Sequence, residues 1–200
     1  MRIGGFQKFS LIDYPGKVCC IVFTQGCNFR CGYCHNPELV YPHLFSKTIP
    51  VQDIFDFLRS RKRKLDGVAI TGGEPTLQKD LIPFIKDIKK EGFLVKLDSN
   101  GSNPQILQNI FSGNLIDYIA MDIKGPFQKY NKVCAVEVDI KDIKKSIRMI
   151  EHSGVPYEFR TTYDTDLLED KDLQEIRSFL NKPNLLNIQK CLKRAETAVV

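Results

Sequence analysis

The chain has 200 residues, of which 42% are hydrophobic and 26% are charged, and its formal net charge is +5. This composition is typical of one globular domain. No apolar run reaches the roughly 20 residues that span a bilayer, and residues 1–17 lack the apolar core of a secretory signal. Both features argue against a membrane or secreted protein and predict a cytoplasmic one. The positive charge is mild and dispersed, and we expect no nucleic-acid partner.

Six short apolar segments follow an N-terminal extension, residues 1–17, and alternate with five segments of helical periodicity. The predicted strands are residues 18–23, 67–71, 93–98, 118–122, 156–161 and 185–189. The predicted helices are residues 51–64, 79–91, 104–111, 140–153 and 169–181. Strands separated by helices pair in parallel through right-handed crossovers. The alternation therefore predicts an α/β fold in a single domain over residues 1–200, as an open parallel sheet or an incomplete barrel.

Polar and metal-ligating residues are concentrated directly after the predicted strands. They lie in residues 25–36, 72–75, 99–101, 122–124 and 160–162. Because the carboxyl ends of parallel strands lie on one side of a sheet or barrel, we expect these five loops to converge on one rim. Ligands bind at that rim in such folds.

Three of the seven cysteines form a compact C-x3-C-x2-C motif at Cys27, Cys31 and Cys34. An odd number of cysteines in a chain without a secretory signal does not indicate a disulfide framework. Thiolates at this spacing can bind one iron–sulfur cluster. Three ligands leave one iron of a four-iron cluster open to a small molecule, so the motif predicts both a metal site and a catalytic site.

Two other interpretations of the cysteine motif are a zinc site and three unligated thiols. A structural zinc site needs a fourth ligand. The candidates for that ligand are His35, His43, Cys19 and Cys20. His35 directly follows Cys34, which is poor geometry for binding the same ion, and we favour one cluster with an open iron.

Polar residues on the other loops are candidate cofactor ligands. Gly72 and Gly73 allow a close approach of the backbone to a ligand, and Glu74 can accept hydrogen bonds from an ammonium group. The further candidates are Asp98, Ser99, Asn100, Asp122, Lys124 and Arg160. The alternative for each of these loops is a plain turn or a strand-end ion pair.

The cysteine motif, with Tyr33 directly before its third cysteine, resembles the C-x3-C-x-aromatic-C signature of the radical S-adenosylmethionine (SAM) superfamily. The resemblance implies a [4Fe–4S] cluster whose open iron binds the methionine end of SAM. Reductive cleavage then releases a 5′-deoxyadenosyl radical. Tyr33 is expected near the adenine, with His35 and Asn36 supporting the cofactor.

The other loops also resemble elements of this superfamily. Gly72, Gly73 and Glu74 match its glycine-rich motif, which contacts the methionine amino group. Ser99 and Asn100 match its Thr-Asn-Gly element beside the ribose, with Ser99 in place of threonine. For the remaining candidates the resemblance implies cofactor or substrate contacts, at Asp98, Asp122, Lys124 and Arg160.

A narrower resemblance extends over most of the chain to residue 162. Residues 4–8, 10–17, 23–31, 34–38, 121–124 and 158–162 are similar to the anaerobic ribonucleoside-triphosphate reductase activating proteins, although Gly32 stands where proline is frequent. This resemblance implies a partial (β/α)6 TIM-like barrel with the N-terminal extension packed on it. It also implies an enzyme that generates a glycyl radical on anaerobic ribonucleotide reductase, with flavodoxin or ferredoxin as electron donor.

Two alternative functions remain open from the sequence. One is a radical SAM enzyme that acts on a small molecule, as 7-carboxy-7-deazaguanine synthase does. The other is a non-catalytic iron–sulfur or zinc protein. The Gly-Gly-Glu-Pro segment at residues 72–75 argues against the second alternative, because a bare metal site does not need it.

Overall fold

Seven β-strands form one sheet whose spatial order follows the chain order in the computed structural model, which describes residues 1–191. The strands are β1 (Ile3–Ser10), β2 (Cys19–Thr24), β3 (Gly67–Gly72), β4 (Leu94–Ser99), β5 (Tyr118–Asp122), β6 (Tyr157–Tyr163) and β7 (Leu186–Lys190). The α-helices are α1 (Val51–Ser60), α2 (Leu81–Lys90), α3 (Pro104–Ser112), α4 (Tyr130–Cys134), α5 (Ile140–His152) and α6 (Asp170–Ser178). Residues 192–200 of the predicted domain lie outside the described residues.

The six strands from β2 to β7 pair in parallel, each with the next one in the chain. A parallel sheet that winds in one direction places its helices on one face, which is the arrangement of a barrel. Within residues 1–191, β1 and β7 each pair on one side only, so the barrel is incomplete. The predicted α/β fold, a partial (β/α)6 barrel in a single domain, is confirmed. No helix in this part of the chain is long and apolar enough to cross a membrane.

The N-terminal extension contains a strand that the sequence did not indicate. β1 pairs antiparallel with β2, with Ile3 opposite Thr24 and Ser10 opposite Cys19. The segment lacks a clear apolar alternation because two glycines interrupt it. Gly4 is needed there, since a Cβ at this position would lie 2.4 Å from the Cγ of Gln25.

Tyr14 closes the end of the barrel opposite the strand carboxyl ends. Its side chain is 3% exposed, and its ring centroid lies 5.9 Å from that of Tyr118 at the start of β5. A Cβ on Gly67, the first residue of β3, would lie 3.1 Å from the Tyr14 ring. Tyr14 packs with Cys19 and Ile21 of β2, so the loop after β1 acts as a plug for the barrel.

Removing this plug should destabilise the fold. We expect Tyr14→Ala to lower the free energy of unfolding by about 3 kcal/mol, because truncating a buried aromatic leaves a cavity. Urea denaturation followed by circular dichroism measures the change. Ile12→Ala is the matched control, since Ile12 is 89% exposed in the same loop, and it should change stability by less than about 0.5 kcal/mol. Equal effects of the two substitutions would contradict the plug.

Candidate active site

One cavity of about 260 Å³ lies at the carboxyl ends of the strands, and all the site residues predicted from the sequence line it. They are Cys27, Cys31, Tyr33, Cys34, His35, Asn36, Gly72, Gly73, Glu74, Asp98, Ser99, Asn100, Asp122, Lys124 and Arg160. Five further lining residues were not predicted, namely Phe29, Val40, Thr71, Thr162 and Gln189. The expected convergence of the five loops on one rim is therefore observed.

The loop after β2 turns its three predicted ligands into this cavity. The backbone N–H of Gly26, which has a φ of +102°, donates to the carbonyl of Leu39 at 2.7 Å and closes the base of the loop. The Cys27 Sγ accepts from the Phe29 N–H at 3.3 Å. The Cys34 N–H donates to the Cys31 carbonyl at 3.0 Å, which brings the second and third cysteines together.

The three thiols differ in their electrostatic surroundings. Burial raises the pKa of Cys27 to about 11 and also raises the pKa of Cys34. The pKa of Cys31 is lowered to about 6, because the Cys134 thiol hydrogen-bonds to it and because Lys124 lies nearby. Cys31 is therefore the cysteine of this motif that ionises most readily.

Cys134 is a component of the site that the sequence did not reveal. It ends the short helix α4 and is fully buried. Its carbonyl accepts from the Arg30 N–H at 2.8 Å. No spacing signal connects Cys134 with the motif, because the two lie more than a hundred residues apart.

A buried carboxylate joins the loop after β3 to the loop after β4. Glu74 is 0% exposed. Its Oε1 accepts from the Thr76 N–H at 3.0 Å, the Thr76 hydroxyl at 2.6 Å and the Ser99 hydroxyl at 2.9 Å. Its Oε2 accepts from the Asn100 N–H at 2.6 Å. Burial raises the pKa of Glu74, and these donors oppose that effect.

The same segment contacts the cysteine loop through its backbone. The Glu74 N–H donates to the Gly26 carbonyl at 2.8 Å. A Cβ on Gly73 would lie 2.2 Å from that carbonyl oxygen, so only glycine allows this approach. Asn100 completes the connection, since its Nδ2 donates to the Oδ1 of Asn28 at 2.9 Å. Three loops from different parts of the chain are thus cross-linked around the cavity.

Five charged side chains of alternating sign form a chain of ion pairs, and four of them, Asp98, Arg160, Asp122 and Lys124, line the cavity. The Lys96 Nζ lies 2.6 Å from Asp98 Oδ1, and Asp98 Oδ2 lies 3.0 Å from Arg160 Nη1. The Arg160 Nε lies 2.9 Å from Asp122 Oδ1, and Asp122 Oδ2 lies 3.1 Å from Lys124 Nζ. The chain of charges carries one excess positive charge. The two interpretations of these residues from the sequence, ion pair and cofactor contact, are compatible, since Asp98, Asp122, Lys124 and Arg160 are paired and also line the cavity.

The paired charges shift the pKa values of one another. Burial alone would raise the pKa of Asp122, but Lys124 and Arg160 outweigh burial and hold that pKa well below its usual range. Asp122 in turn raises the pKa of Lys124 and of Arg160 against the effect of burial. All three groups therefore stay charged at neutral pH.

Tyr33 contributes a buried hydroxyl that has no hydrogen-bond partner within the described residues. Buried polar groups are normally paired, and an exception on a cavity wall points to a missing ligand group. His35 and Asn36 lie next to it along the cavity, where His35 is exposed and Asn36 half-buried.

Comparison with known proteins identifies the family. The Radical SAM superfamily profile matches residues 21–182. This chain belongs to the radical SAM superfamily. A Methanocaldococcus jannaschii protein assigned to the glycyl-radical enzyme activating enzymes is 35% identical in an alignment of 195 positions that covers 94% of this chain and 78% of that protein. The Clostridium pasteurianum pyruvate formate-lyase-activating enzyme is 29% identical over 200 residues, with 94% and 79% coverage. The chain is an enzyme of this activating class.

A solved structure supports the fold assignment. Streptococcus suis SuiB bound to S-adenosylmethionine matches with a TM-score of 0.69 at 15% identity. The match covers 88% of this chain and 41% of SuiB, so the chain spans less than half of that protein. At this identity the likeness shows the radical SAM fold alone.

The donor set of this radical SAM protein fits an iron–sulfur cluster, which together with SAM is the cofactor that the superfamily implies. Three thiols line one cavity beside the cation of Lys124, and thiolates are the ligands of such clusters. A zinc ion instead needs four ligands around a single point. Within residues 1–191, no three His, Cys, Asp or Glu side chains are arranged to hold one metal ion.

Replacing the carboxylate that joins the loops should destabilise this radical SAM fold. In Glu74→Gln an amide NH₂ replaces one acceptor oxygen and faces the protein's own donors. We expect the free energy of unfolding to fall by about 2 kcal/mol, because a buried donor is left unsatisfied. Urea denaturation measures it, with the exposed Glu137→Gln as control. A loss no larger than that of the control would contradict the role of Glu74.

The lowered pKa of Asp122 predicts a pH dependence of stability. Folding favours the ionised form of Asp122. Its contribution to the free energy of unfolding is therefore complete above the pKa of the unfolded state, about 3.9, and is lost as the pH falls towards the lower pKa of the folded state. Between about pH 4 and pH 2, stability should therefore fall more steeply in the wild type than in Asp122→Asn. Urea denaturation of both proteins across this pH range measures the difference. Parallel profiles of stability against pH in the wild type and Asp122→Asn would contradict this role of Asp122.

Proposed function

We propose that this chain generates a glycyl radical on a partner enzyme, and that the partner is the anaerobic ribonucleoside-triphosphate reductase. The observation that carries the proposal is the convergence of three thiols, a buried carboxylate and a chain of paired charges on one cavity of a radical SAM fold. The choice of partner is supported by the sequence blocks between residues 4 and 162 that resemble activating proteins of that reductase.

The cysteines are proposed to hold one [4Fe–4S] cluster. Cys27, Cys31 and Cys34 supply three thiolates, which leaves the fourth iron for the amino and carboxylate groups of SAM. When bound, the reduced cluster supplies the electron that splits SAM into methionine and a 5′-deoxyadenosyl radical.

The charged wall of the cavity is proposed to bind the methionine end of SAM. Lys124 and Arg160 are the two cations of the charge chain that line the cavity, and both can pair with a carboxylate. Asp98 and Asp122 hold those two cations in place through ion pairs. Because ion pairs hold all four side chains in position, the carboxylate of SAM would bind to a preformed site.

The glycine-rich loop is proposed to bind the ammonium group. Gly72 and Gly73 bring backbone close to the cavity, and both line it. Glu74 accepts a single hydrogen bond at Oε2, and we propose that this carboxylate also contacts the ammonium directly. The same carboxylate holds Ser99 and Asn100 in place.

The nucleoside of SAM is proposed to lie between the cysteine loop and the loop after β4. The unpaired hydroxyl of Tyr33 provides a partner for the adenine side of the cofactor. Ser99 and Asn100 lie at the end of β4 and are assigned to the ribose. His35 and Asn36 support the cofactor from the outer rim of the cavity.

The partner is proposed to reach the cavity with a polypeptide loop. Thr162 and Gln189 line the cavity from β6 and β7, next to the unpaired side of the incomplete barrel. A glycine Cα hydrogen on that loop is then the atom that the adenosyl radical abstracts. A flavodoxin or ferredoxin is proposed as the one-electron donor.

The decisive assay uses anaerobically reconstituted protein with dithionite and SAM. We expect 5′-deoxyadenosine to form, and electron paramagnetic resonance (EPR) to detect a glycyl radical only when the ribonucleotide reductase is present. Cys31→Ala should abolish both signals, whereas Cys191→Ala, outside the cavity lining, should keep them. Retained cleavage in Cys31→Ala would contradict the cluster site.

The choice of partner has its own outcomes in this assay. A glycyl radical on a different activatable enzyme, with none on the reductase, would refute the partner and keep the activating function. Formation of 5′-deoxyadenosine with no radical on any such enzyme would instead favour a small-molecule substrate.

A further inference from the structure

Four cations lie side by side on the outer face of helix α5. Lys141, Lys144, Lys145 and Arg148 are all exposed, and each has two of the others three or four residues away. Residues at that spacing are neighbours on a helix, and like charges there destabilise it. Within residues 1–191, none of the four forms an ion pair with an acidic side chain. The helix therefore carries a concentrated positive charge that its own fold does not use.

An apolar groove borders these cations. Phe127 and Phe179 stack with their ring centroids 4.2 Å apart, and together with Ile147 they line a cavity of about 190 Å³. Lys144 and Arg148 complete the lining of this groove. Apolar walls with charged groups at the edge are the arrangement of a protein–protein interface. The α5 face is the name given to the groove and the cations, that is to Phe127, Lys141, Lys144, Lys145, Ile147, Arg148 and Phe179.

The α5 face lies beside the active site and outside its cavity. The Ser146 hydroxyl donates to the Gly101 carbonyl at 2.6 Å, which holds the middle of α5 at the loop after β4. The next residue of that loop, Ser102, accepts from the Asn28 side chain of the cysteine loop at 2.8 Å. No residue of the α5 face lines the active-site cavity. A partner bound there would therefore lie against the outer wall of the site and leave its mouth open.

This position suits an electron donor better than the enzyme that receives the radical. The glycine of an activated enzyme has to enter the cavity, because its hydrogen must reach the reacting atoms. A reductant needs no entry, since it transfers one electron through the protein wall and no bond forms or breaks. The positive charge of the α5 face then requires a donor with an acidic surface.

Two other occupants fit the α5 face less well. Single-stranded nucleic acids stack their bases on free aromatic rings. Phe127 is instead stacked on Phe179, and the Nζ of Lys144 lies 4.5 Å from the centroid of the Phe127 ring. A second copy of this chain would bring its own net charge of +5 towards the cations.

We propose that the α5 face docks the protein that reduces the cluster, and that this donor presents an acidic surface with an apolar side chain for the groove. This inference rests on the proposed function. The four cations attract the acidic surface and raise the rate of encounter, an effect that falls with ionic strength. In the docked complex the donor is oxidised by one electron and the cluster is reduced by one electron.

The test reverses two charges of the α5 face without weakening its helix. In the double variant Lys144→Glu with Lys145→Glu, each new carboxylate lies three or four residues from Lys141 and from Arg148. Pairs of opposite charge then replace the pairs of like charge. Urea denaturation should show that the double variant is at least as stable as the wild type, so that a loss of docking does not reflect a loss of folding.

The matched control makes the same change in net charge elsewhere. Lys17→Glu with Lys86→Glu alters two exposed lysines, in the loop after β1 and on α2, that do not belong to the α5 face. This control variant should match the wild type in binding the donor and in accepting its electron.

The probe is a flavodoxin of strongly negative net charge. Isothermal titration calorimetry of the reconstituted protein with oxidised flavodoxin measures docking, and we expect the double variant to bind about tenfold more weakly. Stopped-flow absorbance of the cluster measures its reduction by fully reduced flavodoxin, which should also be about tenfold slower and should slow in the wild type as salt is added. Excess dithionite, which needs no docking site, should reduce both proteins equally and yield equal 5′-deoxyadenosine.

Three results would overturn the α5 face as the docking site. The first is equal binding and equal reduction in the double variant and the wild type. The second is a loss of the same size in the control variant or with dithionite, because net charge or damage to the cluster site would then be responsible. The third is a wild type that accepts no electron from flavodoxin, nor from an equally acidic ferredoxin used in its place, while dithionite reduces it.

The remaining outcomes separate the occupants and the two proposals. If the double variant cleaves SAM normally with dithionite but forms no glycyl radical on the reductase, the face binds the activated enzyme and the inference is wrong. Binding of duplex DNA that the double variant loses, with reduction by flavodoxin unimpaired, would assign the face to nucleic acid. Normal docking and reduction in a wild type that cleaves no SAM would refute the proposed function and keep the docking site.

Discussion

The buried carboxylate of Glu74 holds together the loops that form the active site. Both oxygens accept hydrogen bonds, from Thr76 within its own loop and from Ser99 and Asn100 after the next strand. The backbone of the same residue is bound to Gly26 at the base of the cysteine loop. A carboxylate without these partners would be too costly to bury. The loops therefore cannot separate without exposing or unpairing this charge, and the cavity exists because they stay together.

The charge chain extends this constraint to the other strands. Asp98 precedes Ser99 on β4, and through Arg160 and Asp122 it connects β4, β6 and β5. Each charge of this chain has an opposite neighbour, which offsets the loss of hydration that burial imposes. Lys124 is the cation at the end of this chain that lies near the cysteines.

The sequence predicted the six parallel strands and fifteen of the residues that line the cavity, because both depend on local patterns. Apolar strands separated by amphipathic helices determine the direction of the strands, and parallel strands bring their carboxyl ends together. The strand β1 was missed because Gly4 and Gly5 break its alternation. The helix α4 was missed because it is only five residues long.

The contacts that span long stretches of chain could not be predicted. Asp98 and Arg160 end two different strands, and the ion pair between them joins residues 62 positions apart in the sequence. The carbonyl of Cys134 reaches the Arg30 N–H of the cysteine loop from a short helix that carries no metal-binding pattern. The plugging role of Tyr14 likewise depends on Gly67 and Tyr118, which lie far along the chain. A single sequence gives the identity of each of these residues, but it does not show which of them lie close together in the folded protein.

We propose that three protein thiolates leave one iron of the cluster free to bind SAM. EPR of the reduced, oxygen-free protein before and after addition of SAM measures this directly. A change in the cluster signal on addition of SAM, which an analogue without the amino and carboxylate groups does not produce, is the predicted result. A cluster signal that SAM leaves unaltered would mean that side chains saturate every iron, and would contradict the proposal of a free iron.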